Sequence, residues 1–314
     1  MNPPDFQAVA EELVSVSDYA RWLTTLFAAS DLHYGHGTVD PWDEALALLA
    51  GALHLPWDRM ERMFTARLTL AERRALVELA RRRVEERVPV PYLTGRAWFA
   101  GVEFEVDTRV LIPRSPIAEM ILAGFVPWLQ APPARILDLC AGSGAIGIAC
   151  ALAFLDAEVQ LADISPDALA VAARNVARYQ LESRLQLRQG DLFAAVEGRF
   201  DLIVSNPPYV PAASYARLPS EYRHEPALAL LAEEDGIAIV ERILCESADH
   251  LNEGGLLVLE VGEIEPAVTR RLAGTEVVWA QFARGGEGVL VADRDALRGY
   301  STRQAAVRNT GQDR

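Results

Sequence analysis

Along the first third of the chain, apolar residues recur at helical spacing. Tyr19, Trp22, Leu23, Leu26 and Phe27 mark one buried face, with Ser17 placed to cap that helix. His33-Tyr34-Gly35-His36-Gly37-Thr38 reads as a loop because of its glycines. A second helix is predicted over Ala45–His54, stopping before Pro56, and a third over Thr69–Val88, ending before Pro89 and Pro91. From Trp98 to Ile112 the pattern changes to alternation: Phe99, Val102, Phe104 and Val106 stand against Glu103, Glu105 and Asp107, as in a hairpin-like extended link. A short helix over Ile117–Phe125 lies between Pro116 and Pro132.

From Arg135 onward, strand and helix patterns alternate. Strands are predicted at Arg135–Leu139, Glu158–Asp163, Leu185–Gln189, Phe200–Ser205, Gly255–Val261, Glu276–Phe282 and Glu287–Asp293. Helices are predicted at Ala145–Phe154, Pro166–Tyr179, Gly236–His250 and Glu265–Leu272. Such alternation predicts an α/β fold with an open, doubly wound sheet. The last two strands lack an intervening helix and are expected to pair antiparallel. The predicted organisation is a helical domain (1–95), a hairpin and linker (96–133), an α/β domain (134–295) and a polar, disordered tail (296–314).

Composition narrows the classes. The 314 residues are 51% hydrophobic and 24% charged, which is globular composition and excludes wholesale disorder. The formal charge is −14, and all 30 cations are Arg. That balance disfavours generic nucleic-acid binding, which depends on phosphate neutralisation, and suits a basic partner. Between Arg59 and Arg87 nine Arg face five Glu, read as a solvated helix face. Cys140, Cys150 and Cys245 show no CxxC spacing, which argues for a reducing compartment without structural zinc or disulfides. The histidines His33, His36 and His224 lack metal-ligand spacing and are read as loop hydrogen-bonding groups. The acidic N-terminus does not resemble a signal peptide. The longest uncharged stretch, 17 residues from Leu139 to Leu155, is short of the roughly 20 apolar residues a membrane span requires. A soluble, cytoplasmic protein is expected.

Two motifs carry the chemistry. Gly142, Gly144 and Gly147 form G-x-G-x-x-G directly after the strand ending at Leu139, and Asp163 follows 21 residues after Gly142 at the end of the next strand. An acidic residue there suits a ribose hydroxyl pair. By itself this fingerprint fits a nicotinamide cofactor or S-adenosylmethionine. Asp138 favours the second: it would repel a pyrophosphate and attract an ammonium. Asp191 has two readings, an acceptor for an adenine amino group beside an apolar wall of Leu192 and Phe193, or a helix N-cap.

The second motif, Asn206-Pro207-Pro208-Tyr209, follows the strand Phe200–Ser205, at the end of a strand where α/β sheets bind ligands. An amide or aryl-amine nitrogen is a poor nucleophile because its lone pair is delocalised. Its attack on a methyl sulfonium requires that both hydrogens be held so that the lone pair faces the methyl. The Asn206 side-chain oxygen and the Pro207 carbonyl are suitable acceptors. The prolines stiffen the turn, and Tyr209 offers a flat face to a planar group.

Together the glycine turn, Asp163 and Asn206-Pro207-Pro208-Tyr209 resemble the class I S-adenosylmethionine-dependent methyltransferases that modify amide or exocyclic amine nitrogens. Leu111-Ile112-Pro113-Arg114 narrows the resemblance to protein-glutamine methyltransferases of the HemK type. Three stretches are similar to the branch that methylates a glutamine of the third large-subunit ribosomal protein: Tyr34–Thr38, Pro113-Arg114-Ser115-Pro116 and Leu218–Pro226. The resemblance spans about residues 17–293. Cys140-Ala141 departs from it, since Thr or Gly is common there.

The resemblance implies a Rossmann-like methyltransferase with a mostly parallel sheet and an antiparallel last strand, preceded by a helical substrate-recognition domain. It implies S-adenosyl-L-methionine as cofactor and S-adenosyl-L-homocysteine as product. With the reading of the residues above, cofactor contacts fall on Asp138, Cys140, Ala141, Gly142, Ser143, Gly144, Asp163, Asp191, Leu192 and Asn206. The substrate amide falls on Asn206, Pro207, Pro208 and Tyr209. Glu225 walls the glutamine pocket or forms a structural salt bridge. The expected partner is a basic ribosomal protein, with no membrane and no direct sequence-specific nucleic-acid binding. Alternatives are glutamine methylation of peptide release factors, adenine-amine methylation of nucleic acid, a nicotinamide dehydrogenase, and a non-catalytic assembly factor.

Overall fold

The computed structural model describes residues 6–232, 235–283 and 285–311. The chain forms two compact units: Met1–Ala97 with Val106–Thr108 and Leu218–His224, and Trp98–Glu105 with Arg109–Arg217 and Glu225–Arg314. The first is helical: α1 (Phe6–Glu12), α2 (Val16–Ala29), α3 (Pro41–Ala52), α4 (Met60–Met63), α5 (Leu70–Glu85) and α6 (Val90–Thr94). Tyr19, Leu23 and Phe27 of α2 pack with Leu48 and Leu49 of α3 and Leu76 of α5. Ser15, not Ser17, caps α2: its hydroxyl accepts from Asp18 N–H while the Asp18 carboxylate accepts from Ser15 N–H at 2.8 Å. The second helix starts earlier than its apolar pattern because Asp40 accepts from the Trp42 and Asp43 amides and Pro41 occupies the first turn. Thr69 and Glu72 form a capping box at α5.

The basic stretch divides in two. Arg81 is solvated and paired with Glu78, Glu85 and Glu86. Arg83 is only 1% exposed, contrary to the solvated-face reading. Its guanidinium lies 2.5 Å from Glu44, 3.2 Å from Glu221 and 2.9 Å from the His33 carbonyl. Glu221 also accepts from His33 N–H at 3.0 Å. Tyr222 packs against His33 and His36, at ring separations of 5.5 and 4.6 Å, and His224 meets the Glu86 carbonyl at 2.9 Å. Two segments read separately in the sequence, Tyr34–Thr38 and Leu218–His224, thus meet around one buried arginine. The expected domain boundary changes accordingly, because Leu218–His224 belongs to the helical unit.

A two-stranded sheet of β1 (Arg96–Phe99) and β2 (Val102–Glu105) is followed by α7 (Ile117–Leu122), the second unit beginning at Trp98 within β1. The main sheet follows: β3 (Arg135–Leu139), α8 (Ala145–Ala153), β4 (Glu158–Asp163), α9 (Pro166–Arg178), β5 (Leu185–Gln189) and β6 (Phe200–Ser205). After the Asn206 turn come β7 (Val210–Pro211), α10 (Ala212–Tyr215) and β8 (Leu231–Ala232), with β7 and β8 paired to each other. Completing the unit are α11 (Ile237–His250), β9 (Leu251–Glu260), α12 (Glu265–Arg271), β10 (Val278–Trp279), β11 (Val289–Asp293) and α13 (Arg294–Gly311). Strand order is β10-β11-β9-β6-β3-β4-β5, parallel except where β11 pairs with β9 and β10. Residue alternation gives two cores. Ile136 and Val204 face the cluster holding Ile148 and Val176, whereas Leu137 and Ile203 face the cluster holding Val240 and Ile243.

Two expectations fail at the C-terminus. The strand read over Glu276–Phe282 is only Val278–Trp279. Residues 297–311, read as part of a disordered tail, are most of α13, because Leu297 and Tyr300 bury themselves in the second core; 312–314 lie outside the described residues. No helix among the described residues is long and apolar enough to cross a membrane.

The Arg83 cluster makes a stability prediction. Arg83→Ala removes the cation beside the buried Glu44 carboxylate and leaves Glu221 with Arg87 at 3.5 Å, so urea unfolding of the full chain should show a loss of about 3–5 kcal/mol. A loss within experimental error would contradict the buried ion pairing.

Candidate active site

The parallel register sets the site. Leu139 pairs with Ala162 on one side and Ser205 on the other, and Asp163 pairs with Gln189. Cys140 and Asn206, which leave their strands next, and Asp163, the last residue of β4, therefore lie at one level of one sheet edge. Ser205 hydroxyl donates to the Leu139 carbonyl at 2.9 Å and ties β6 to β3 at that level.

A cavity of about 210 Å³ opens there, entirely within the second unit. Its wall includes Cys140, Ala141, Gly142, Ser143, Asp163, Asp191, Leu192, Asn206 and Pro208. Residues whose position the sequence left unassigned complete it: Phe99, Val110, Ile146, Ile164, Leu228 and Ile239 are apolar, and Arg114 and Ser115 are polar. Of these, only Arg114 and Ser115 lie in a stretch that carried the resemblance; Pro226, from the other such stretch, also lines the cavity.

The glycine turn faces open space at Gly142. Gly142 has φ +55°, and a Cβ added there would meet nothing within 4 Å, so the backbone faces open space. Its N–H donates to Asp163 at 2.8 Å, and the other Asp163 oxygen accepts from Ser165 N–H at 2.9 Å. Burial raises the Asp163 carboxyl above the usual range.

Several predicted residues lie elsewhere. Gly144 and Asp138 are not on the wall. Asp138 is 1% exposed; one oxygen accepts from Gly147 N–H at 2.8 Å and the other has no hydrogen-bond partner. Burial pushes its carboxyl up to about 8, with the charge of Asp163 adding to the effect. Phe193 stacks on His250 instead of lining the cavity. Asp191 precedes the Leu192–Ala195 turn but caps nothing, and it pairs with Arg242 at 3.0 Å. Pro207, Tyr209 and Glu225 are also off the wall. Tyr209 hydroxyl donates to Glu260 at 2.9 Å. Glu225 takes the salt-bridge reading: it accepts from both Arg114 nitrogens, at 2.6 and 2.8 Å, and from Ile112 N–H at 3.0 Å. It fixes Arg114, which does line the cavity.

The fold and this strand-end site define a class I, Rossmann-like methyltransferase. The family described as Methyltransferase small domain matches residues 123–217. A ribosomal protein uL3 glutamine methyltransferase of Francisella tularensis is 42% identical over 297 residues, 94% of this chain and 95% of its own length. One from Bordetella pertussis is 45% identical over 290 residues, 91% of this chain and 97% of its own. Among solved structures, a methyltransferase from Pyrococcus furiosus is 24% identical with a TM-score of 0.45, covering 61% of this chain and 88% of that one. The chain belongs to the ribosomal protein uL3 glutamine methyltransferase family.

The buried Asp138 predicts a pH dependence. Unfolded, its carboxyl titrates near 3.8; folded, near 8. Its contribution to stability is present below the lower value and is lost as pH rises toward the upper one. Asp138→Asn keeps an oxygen for Gly147 N–H and does not titrate. Thermal unfolding of the ligand-free protein should therefore show the variant gaining on wild type from about pH 5 to about pH 8. A pH-independent difference would contradict this assignment.

Proposed function

We propose that this enzyme transfers a methyl group from S-adenosyl-L-methionine to the side-chain amide nitrogen of a glutamine in ribosomal protein uL3. The observation that carries the reading is the placement of Asn206 and Pro208 on the same cavity wall as Gly142 and Asp163, in a chain whose relatives are named for this activity. Those names favour uL3 over a release factor, an assembly-factor role or a nucleic acid as client. The acidic chain suits a basic ribosomal protein, steered by opposite charge, in the cytoplasm where ribosomes are made.

The residues present fit the cofactor. Cys140 to Ser143 give it a backbone cradle, with Gly142 facing open space. Asp163 offers carboxylate lone pairs to ribose hydroxyls, and Leu192 offers apolar surface. Asp138 acts from behind the turn, through Gly147, instead of touching the ligand. When bound, the cofactor supplies an electrophilic methyl on a sulfonium and departs as S-adenosyl-L-homocysteine.

Asn206 accepts one amide hydrogen through its side-chain oxygen, and the Pro207 carbonyl accepts the other. The lone pair is thereby turned toward the methyl, and two prolines keep these acceptors from drifting. No strong base is required, because the proton leaves after the nitrogen has become cationic. Tyr209 supports the turn that carries both acceptors.

Incubating the enzyme with labelled cofactor and ribosomal proteins from a strain lacking it should label one protein, uL3, at one glutamine. Label on another protein, or none, would contradict the reading. Asn206→Ala should lower kcat by roughly 100–1000-fold with the fold intact, as expected for one positioned catalytic hydrogen bond. Activity within threefold of wild type would remove Asn206 from its role. Asp163→Ala should weaken S-adenosylhomocysteine binding by about 1.5–3 kcal/mol in calorimetric titration. Unchanged affinity would contradict the ribose assignment.

A further inference from the structure

At the end of β9, Glu260-Val261-Gly262 meets the last residue of the Asn206 turn. Both Glu260 oxygens are engaged: one accepts from the Tyr209 hydroxyl at 2.9 Å, the other from the Ser115 hydroxyl at 2.5 Å. Ser115 is itself fixed by Ile117 N–H, which donates to its hydroxyl at 3.1 Å. The carboxylate is 6% exposed, so this is a shielded contact. Gly262, at φ +47°, lies against the Tyr209 ring so closely that an added Cβ would fall 2.5–2.9 Å from the ring atoms and hydroxyl. A Cβ at Gly236 would fall 2.4 Å from the Tyr209 carbonyl oxygen. Gly262 is in turn held by its N–H to the Gly288 carbonyl, at 3.3 Å, beside the Val261 N–H at 2.7 Å.

We propose that Glu260 and Gly262 form a seat for Tyr209 and act as positioning residues for methyl transfer, fixing the Asn206-Pro207-Pro208-Tyr209 turn through its last side chain. The inference rests on the functional reading above and adds residues that neither sequence motif contains. The physical reason is the length of the lever. Only stiff prolines separate Asn206 from Tyr209, two of them, and Pro208 alone separates Pro207 from it, so a displaced ring transmits its shift to the two amide acceptors. A misplacement of about 1 Å can cost on the order of a hundredfold in rate. On the far side, β7 pairing with β8 and Val210 N–H donating to the Leu230 carbonyl at 2.9 Å hold the chain, so both ends of Tyr209 are anchored.

The test uses the full-length enzyme with uL3 as substrate, and compares Tyr209→Phe, Glu260→Ala, Glu260→Gln, Gly262→Ala and the Tyr209→Phe/Glu260→Ala double variant. Tyr209→Phe and Glu260→Ala should each lower kcat by about 10–100-fold, the usual worth of a hydrogen bond to a charged group, while calorimetric affinity for S-adenosylhomocysteine stays at the wild-type value. The double variant should fall no further than the worse single, because both remove the same bond. Glu260→Gln keeps an acceptor for Tyr209 and should exceed Glu260→Ala; Gly262→Ala should lower kcat with cofactor affinity retained. Multiplicative losses, or Tyr209→Phe at the wild-type rate, would overturn the seat. Crystal structures of wild type and Tyr209→Phe judge it independently of activity. The seat predicts a displaced or disordered 206–209 turn in the variant, and an unmoved turn would overturn it. If wild type leaves uL3 unmethylated, the functional reading falls, and these structures still decide the seat.

Discussion

The parallel register of β4, β3 and β6 is the constraint on which the rest depends. Pairing Leu139 with both Ala162 and Ser205 brings three chain exits to one level, where the glycine turn, Asp163 and Asn206 are found. A slip of one residue in any of these strands would turn its buried side chains to the wrong face and displace its exit along the edge. The two apolar clusters, one on each face of the sheet, make such a slip costly. The hydrophobic pattern that folds the sheet is therefore what assembles the site.

Around that edge, buried polar contacts hold the walls in place. Glu225 grips Arg114, Glu260 grips Tyr209 and Ser115, and Asp138 grips the first turn of α8 through Gly147. These acidic side chains stand off the cavity wall, whereas Asp163 and Asp191 stand on it. Another carboxylate, Glu221, organises the helical unit around Arg83 and brings a segment from beyond the Asn206 turn into that unit. Removing the first 95 residues would strip Glu221 of Arg83, so truncation is a poor probe of client recognition.

Local patterns were the legible part. Short strand patterns such as Arg135–Leu139 and Phe200–Ser205, and the helix opening at Pro166, matched their elements closely. The glycine turn and the Asn206 tetrapeptide could be placed because each follows a strand directly. Long-range pairing was not legible. Nothing adjacent to Arg83 in the chain shows that Glu44 and Glu221 will neutralise it, so it read as one more solvated arginine. Tyr300 and Leu297 sit in a polar stretch, and only the second core explains why that stretch is a helix. Asp138 was read by the charge it would carry, but its burial decides its position. Glu260 ends an apolar strand, and its value lies wholly in its contact with Tyr209, 51 residues away.

The central claim is that the methyl donor and the glutamine amide meet at the edge defined by Asp163 and Asn206. A crystal structure with S-adenosylhomocysteine and a uL3 peptide carrying the modified glutamine tests it most directly. The predicted result has the ribose on Asp163 and the glutamine amide hydrogens on the Asn206 side-chain oxygen and the Pro207 carbonyl, with the nitrogen facing the cofactor sulfur. A glutamine amide bound away from Asn206 would contradict it.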